Sequence, residues 1–427
     1  MLLITGGRVL DPAGGLDGRM NVLVSGNRIE ALLDPSASVS NDVERLDAAG
    51  MIVAPGFVDI HAHLRYPGLP HKETIASGTA AAVRGGFTTV CAMANSKPAV
   101  DTPQLVEDVL RQAECEAHCR VHTFAGVSEE LKGNRNTMGA DLFAAGAIGL
   151  SDDGNPVRSE DIMREALEQS SRHGKPVSAH EESHHEAEDF RWPCSGEVHM
   201  IRRDVELLKS TGGRLHIAHV SCRESLDVIA AAKAAGLSIT AEATPHHLAL
   251  TEQVWEGEDE LPANHGLAKV NPPLRSPQDV WALTEALEAG IVDAIATDHA
   301  PHAVSEKCVE PSCAAFGFSA LELALPLLLQ LVEAGKLSLA TMVERLTAGP
   351  ARIMQLHAGS LVPGAQADIC LFDPNCEWTP ARDTIVSKGK NHPLMGRPMK
   401  GRVMATVVDG RVFDFGRDHG LRALRAR

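Results

Sequence analysis

Phe57-Val58-Asp59-Ile60-His61-Ala62-His63-Leu64-Arg65 is a short apolar run that ends in two histidines, one residue apart, and an arginine. Residues 57–60 have the length and apolar character of a buried strand. Successive side chains on an extended segment alternate sides, so His61 and His63 project together and both imidazoles can converge on one cation.

Seven more apolar runs follow, at 88–92, 121–125, 147–150, 177–179, 215–218, 238–241 and 292–296. Between them lie segments of helical period at 74–84, 159–173 and 223–235, which stop at Gly85-Gly86, Gly174 and Gly236. A glycine just past the last turn closes a helix in the left-handed conformation at little steric cost. Strands alternating with helices predict parallel βα units, and eight of them predict an α/β, TIM-type (β/α)8 barrel over residues 55–357. Short β-like runs punctuated by glycine occur near both ends. They predict a small composite β domain assembled from residues 1–54 and 358–427.

Composition narrows the function. A hydrophobic fraction of 44% over 427 residues describes a compact globular chain, and a net charge of −16 excludes a general nucleic-acid binder. The locally basic Arg417, Arg422, Arg425 and Arg427 read as a solvated terminus. The first residues do not form a signal peptide, and no apolar run reaches the length of a membrane span, so a soluble, cytoplasmic protein is expected. Nine irregularly spaced cysteines read as reduced, incidental thiols rather than a disulfide framework, including Cys115 with Cys119 and Cys308 with Cys313.

Polar residues gather where the strands end. Asp153 follows the fourth strand, His180 ends the fifth, His219 ends the sixth and Asp298 follows the eighth. The C-terminal strand ends form the catalytic mouth of such a barrel. Imidazole nitrogen and carboxylate oxygen suit Zn²⁺, and mixed sites of this kind also accept Mn²⁺, Co²⁺ or Fe²⁺. The distribution predicts one or two Zn²⁺ per chain, with His61, His63 and Asp298 on one ion, His180 and His219 on the other, and a carboxylate between. Neighbouring side chains on an extended segment point opposite ways, so only one of Asp152 and Asp153 can face the ions; Asp153 is the choice.

These residues, with Gly85-Gly86-Phe87-Thr88-Thr89-Val90, Asp152-Asp153-Gly154, His216-Ile217-Ala218-His219-Val220-Ser221, Thr244-Pro245-His246-His247-Leu248, Asn271-Pro272-Pro273-Leu274-Arg275 and Ala296-Thr297-Asp298-His299-Ala300-Pro301-His302, give the chain its resemblance. It resembles the amidohydrolase superfamily and, more narrowly, the class I dihydroorotases, over nearly its whole length. The resemblance implies a reversible, zinc-dependent hydrolysis between (S)-dihydroorotate and N-carbamoyl-L-aspartate in pyrimidine biosynthesis. It implies that Arg65, Asn95 and His302 hold the substrate carboxylate and that Asn271 positions the ring. It leaves His246 and His247 out of the ligand set, while His184 and His185 are left out because they lie in a polar loop with Glu181, Glu182 and Glu186; it admits a homodimer or aspartate carbamoyltransferase as protein partners. Asp298 is expected to accept a proton from the attacking water and return it to the leaving nitrogen. The chain departs from the family pattern at Tyr66, where an acidic residue is common, at Ala94, where proline is usual, and in a short segment at 181–197. The alternatives are an allantoinase or dihydropyrimidinase, which usually place a carboxylated lysine where Asp152-Asp153-Gly154 stands, and an inactive structural partner of aspartate carbamoyltransferase, which would have lost metal ligands.

Overall fold

A computed structural model describes residues 1–183, 191–255, 265–307 and 309–416. The basic tail from Arg417, the pair His184 and His185, and Cys308 lie outside the described residues.

The staves of the barrel are Phe57–Ala62, Phe87–Ala92, Arg120–Thr123, a stretch around Leu150, Val177–Ala179, Leu215–Ile217, Ile239–Ala243 and Ala294–Ile295. Neighbours run parallel, and a bridge between Ala62 and His299 closes the ring. The fourth run, expected as a strand over 147–150, is reduced to bridges from Leu150 to Ala125 and Val177. Its glycines account for the difference. Gly149 lets the Pro176 carbonyl and the Phe124 ring approach to where a Cβ would be 2.7 Å away, and Gly146 takes φ +109, so the chain passes close to its neighbours without building a regular ladder.

Helices on the outside follow the capping chemistry of the sequence. Ile75–Arg84 starts in a box in which Thr74 and Ser77 satisfy each other's backbone, and Glu160–His173 runs from a Ser159 cap to Gly174 at φ 67. Inside the barrel Val58, Ile60, Met93, Phe124, Ile148 and Ala294 pack against Ala351, Ile353 and Met354 of helix Ala348–Met354. The interior is thus filled with apolar side chains, which leaves the polar chemistry to the opposite end.

The terminal segments form two sheets. One orders Arg28–Leu33, Asn21–Ser25, Leu2–Thr5 and Glu44–Asp47; the other orders Arg411–Asp414, Met399–Val408, Ile369–Trp378, Ile52–Pro55, Arg8–Asp11 and Leu16–Arg19. Ile4, Val9, Val22, Val53, Ile369 and Val407 share one core, so both ends of the chain are needed to bury it. Asp368 joins this layer to the barrel: its carbonyl accepts from Gly56 N at 2.9 Å and its carboxylate pairs with Arg120.

One expectation is overturned. Cys194 and Cys222 form a disulfide, with Cα atoms 5.9 Å apart and a sequence separation of 28. Helix Ser195–Thr211 and the sixth stave double back on each other and bring the two together, a return that cysteine spacing does not encode. Among the described residues Cys91, Cys115, Cys119, Cys313 and Cys370 are free thiols. Among the described residues, no helix is long and apolar enough to cross a membrane.

Candidate metal centre

Asp59, buried inside the first stave, organises the mouth of the barrel. Its carboxylate accepts from Thr297 N at 2.9 Å, from Thr297 Oγ1 at 2.5 Å and from His61 N at 3.3 Å, tying the end of stave one to the loop that carries Asp298. The adjoining link from His63 N to the His299 carbonyl, 2.9 Å, completes the seam. Arg65, His219 and Asp298 all adopt positive φ, of 58°, 32° and 46°. Such backbone is costly for a residue with a side chain and persists where the surroundings hold it in place, as these loops do.

All six expected ligands meet at this mouth. Asp153 Oδ1 lies 3.3 Å from His61 Nε2, 3.5 Å from His180 Nδ1 and 3.4 Å from His219 Nε2, while His180 Nδ1 and His219 Nε2 are 2.9 Å apart. On the other side Asp298 Oδ1 is 2.9 Å from His63 Nε2 and 3.6 Å from His61 Nε2. Among the described residues two buried groups of donors result, His61–Asp153–His219 and His61–His63–Asp298, which share His61.

The arrangement fits cations. Ligand atoms about 2.0–2.1 Å from a tetrahedral zinc lie about 3.3 Å from one another, the spacing seen around Asp153. His61 Nε2 and Asp153 Oδ1 are buried without a hydrogen-bond partner, an expense that a bound ion would remove. Burial opposes ionisation of Asp153, but His61, His180 and His219 outweigh it and hold the carboxyl well below its usual range. Burial likewise opposes charge on His180, yet Asp153 and Glu182 raise it to about 9. Carboxylates kept anionic against burial are the counterpart of positive charge at the centre. Asp152, one residue away, points elsewhere: it accepts from Ser128 N at 3.0 Å and Ser128 Oγ at 2.5 Å, and burial raises it to about 6. Gly154, at φ +83, lets the chain turn beneath Asn95, whose Nδ2 is 3.0 Å from where a Cβ would stand.

The expected substrate residues line a pocket of about 150 Å³ over this centre, together with Ala300, Phe316 and Gly317. Asn95 is tied to the ligands themselves. Its Oδ1 accepts from His63 Nδ1 at 2.8 Å and its Nδ2 donates to the Asp153 carbonyl at 3.0 Å. Asn271 Nδ2 donates to Glu182 at 3.0 Å, and its Oδ1 is buried without a partner. His247, whose Nε2 donates to the Pro272 carbonyl at 2.9 Å, holds the Asn271 loop; His246 is buried beside it and lies outside both ligand groups. Arg65 Nε donates to the Pro301 carbonyl at 3.2 Å, and its terminal nitrogen stands 3.2 Å from His302 Nε2. Burial lowers the Arg65 guanidinium to about 10, so it remains charged at neutral pH. Tyr66 faces away, donating to Asp108 at 2.9 Å.

Sequence reasoning missed Glu242. This fully buried carboxylate of the seventh stave accepts from His61 Nδ1 at 2.6 Å and His216 Nε2 at 3.1 Å. Burial opposes its charge, but the two imidazoles hold it well below the usual carboxylate range. It fixes the His61 tautomer, leaving Nε2 as the free lone pair that faces Asp153. The available signal was an acid inside the run Thr240-Ala241-Glu242-Ala243, where a buried strand has no other use for one. Glu242→Gln places an amide N–H where one imidazole now donates, and we expect metal affinity to fall about 10–100-fold, measured by competition with a chelator. Unchanged affinity would mean that His61 orients itself.

A closed barrel with a histidine and carboxylate cluster at the C-terminal ends of its staves defines the amidohydrolase type of active site, and the model of the amidohydrolase family matches residues 52–413. The chain is 44% identical to a dihydroorotase of Anaeromyxobacter dehalogenans (strain 2CP-C), over 96% of its own length and 97% of that protein. It is 41% identical to a dihydroorotase of Syntrophotalea carbinolica, covering 96% and 98% of the two chains. The chain belongs to the amidohydrolase family, in its dihydroorotase branch. Its fold is also that of the L-hydantoinase (dihydropyrimidinase) of Arthrobacter aurescens, with a TM-score of 0.86, 24% identity and coverage of 96% and 95%.

Proposed function

We propose that this chain interconverts dihydroorotate and N-carbamoyl-L-aspartate at a zinc centre of one or two ions held by His61, His63, Asp153, His180, His219 and Asp298. The observation that carries the reading is the convergence of Arg65 and His302 on the pocket above these ligands, because a ring bearing a carboxylate needs fixed donors there and a plain cyclic amide does not. When bound, zinc supplies a Lewis acid for the ring carbonyl and makes water acidic enough to attack near neutral pH.

The remaining work falls to the protein. Arg65 holds the carboxylate with Asn95 and His302 beside it, Asn271 Oδ1 accepts from a ring N–H, and Asn95 also keeps His63 and the Asp153 turn in register. His63 and His61 outweigh burial and keep Asp298 ionised, ready to take the proton of the attacking water and pass it to the amide nitrogen as the ring opens. In the biosynthetic direction the same groups act in reverse order. Zinc-loaded protein should consume dihydroorotate and leave allantoin and hydantoin largely untouched; a preference for either of those rings would replace this reading.

Arg65→Met tests the specificity. Loss of a charge-assisted bond costs about 1.5–3 kcal/mol, so kcat/KM for dihydroorotate should fall at least about tenfold. Any residual turnover of a ring without the carboxylate should change far less. Equal losses for both substrates would make Arg65 a purely structural residue.

A further inference from the structure

The proton state of His302 is dictated by its neighbours. His302 is 6% exposed, and its Nε2 lies 2.7 Å from the Phe316 carbonyl oxygen while its Nδ1 lies 3.2 Å from Lys72 Nζ. A carbonyl only accepts and an ammonium only donates. Both contacts are satisfied together by one form alone, with a proton on Nε2 given to Phe316 and a lone pair on Nδ1 receiving from Lys72. The other neutral tautomer sets a lone pair against the carbonyl and an N–H against the ammonium. The imidazolium also opposes Lys72, and Arg65 adds to that repulsion. Burial, Arg65 and Lys72 together push the imidazole down to about 2, in the same sense. Lys72 is itself fastened, with its Nζ 2.9 Å from Glu306 and its side chain 16% exposed.

An Arg65 terminal nitrogen stands 3.2 Å from this protonated Nε2, which has no lone pair to offer it. Two donors do not bond to each other, so with the Nε2 proton given to Phe316 the Arg65 N–H is left for a carboxylate oxygen. We propose that Lys72 is a positioning residue for substrate binding, which by donating to Nδ1 holds His302 in the neutral Nε2–H tautomer, with that proton on the Phe316 carbonyl, so that Arg65 keeps its terminal N–H for the substrate carboxylate. The identity of the anion rests on the dihydroorotase reading; the position of the proton does not.

Removing Lys72 changes what faces the ring. The charged groups left are Arg65, Lys307 and Glu306, whose Oε2 is 3.9 Å from Nδ1. Glu306, which also has His71 at 3.7 Å, can then draw the proton to Nδ1, and Nε2 presents a lone pair that takes the Arg65 N–H away from the incoming carboxylate. Acidification adds the second proton and restores the Nε2–H.

Two measurements test this. In protein labelled with ¹⁵N-histidine, with His302→Asn used to assign the resonance, the His302 ring should show a bare Nδ1 and a protonated Nε2 throughout about pH 6 to about pH 8.5. A protonated Nδ1, or a ring that titrates within this range, overturns the proposal without reference to any substrate or variant of Lys72. In Lys72→Met, KM for dihydroorotate, relative to wild type at the same pH, should rise about tenfold near about pH 8.5 and recover to within about threefold near about pH 6, with kcat changing less. Lys72→Arg, which keeps a donor, should stay within about threefold of wild type at both. No change in Lys72→Met, or an equal loss at both pH values, counts against it. Protein that ignores dihydroorotate at every pH ends the substrate reading, and the spectrum still decides the tautomer.

Discussion

Asp298→Asn should yield a folded, metal-loaded protein whose kcat is lower by about 10²–10⁴-fold, the usual cost of losing a general acid–base group. Asparagine tolerates the left-handed backbone that Asp298 adopts at φ 46°, so the loop should keep its shape. The amide retains an oxygen to face His63 Nε2, now 2.9 Å from Oδ1, and a ligand atom is therefore kept. What it loses is the ability to accept the proton of the attacking water. Elemental analysis and circular dichroism establish metal content and fold, and steady-state turnover of dihydroorotate gives the effect. A metal-loaded variant with near-normal kcat would assign the proton transfer to another group.

The second large effect separates two adjacent carboxylates. Asp153→Ala removes the oxygen that sits within 3.5 Å of His61, His180 and His219, and leaves these imidazoles facing one another across an uncompensated gap. Metal should be lost from at least one site and activity with it. Asp152→Ala instead strands the buried Ser128 N–H and hydroxyl, now 3.0 and 2.5 Å from the carboxylate. Leaving such donors unsatisfied costs about 1–3 kcal/mol of stability, and the turn beneath Asp153 loosens while metal is largely retained. Zinc per chain after identical dialysis, with melting temperature beside it, distinguishes the two. A metal-poor Asp152→Ala beside a metal-rich, active Asp153→Ala would move the ligand by one residue.

What could be read in the sequence is what short-range geometry encodes. His61 and His63 announce themselves because the two-residue period of a strand puts them on one side, and the staves because apolar runs recur between capped helices. The limits are equally physical. Glu242 gives no sign in sequence that it reaches across the barrel to His61, a partner 181 residues away. The Cys194–Cys222 bond depends on how a helix and a stave return past each other. The stave at Leu150 is blurred by the glycines that let it run close to its neighbours. Asn95 reads as a carboxylate ligand in the family pattern, and its side chain also ties His63 to the Asp153 segment, contacts that sequence does not show. In each case the deciding contact lies between residues far apart along the chain.

The joining of both ends of the chain in one sheet also constrains the order of assembly. Ile52–Pro55 runs straight through Gly56 into the stave that carries His61 and His63, and it pairs with Ile369–Phe372. During synthesis that partner leaves the ribosome only after every barrel stave has been made. The early strands around Leu2–Thr5 and Arg8–Asp11 must therefore wait, with Ile4 and Val9 lacking their final cover, until the late strands arrive. Contacts of such long sequence separation form slowly, because the loop-closure entropy is spent before they can reward it. Completion of the outer sheet, and with it the last anchoring of the first stave, is thus a late event in the nascent chain's maturation.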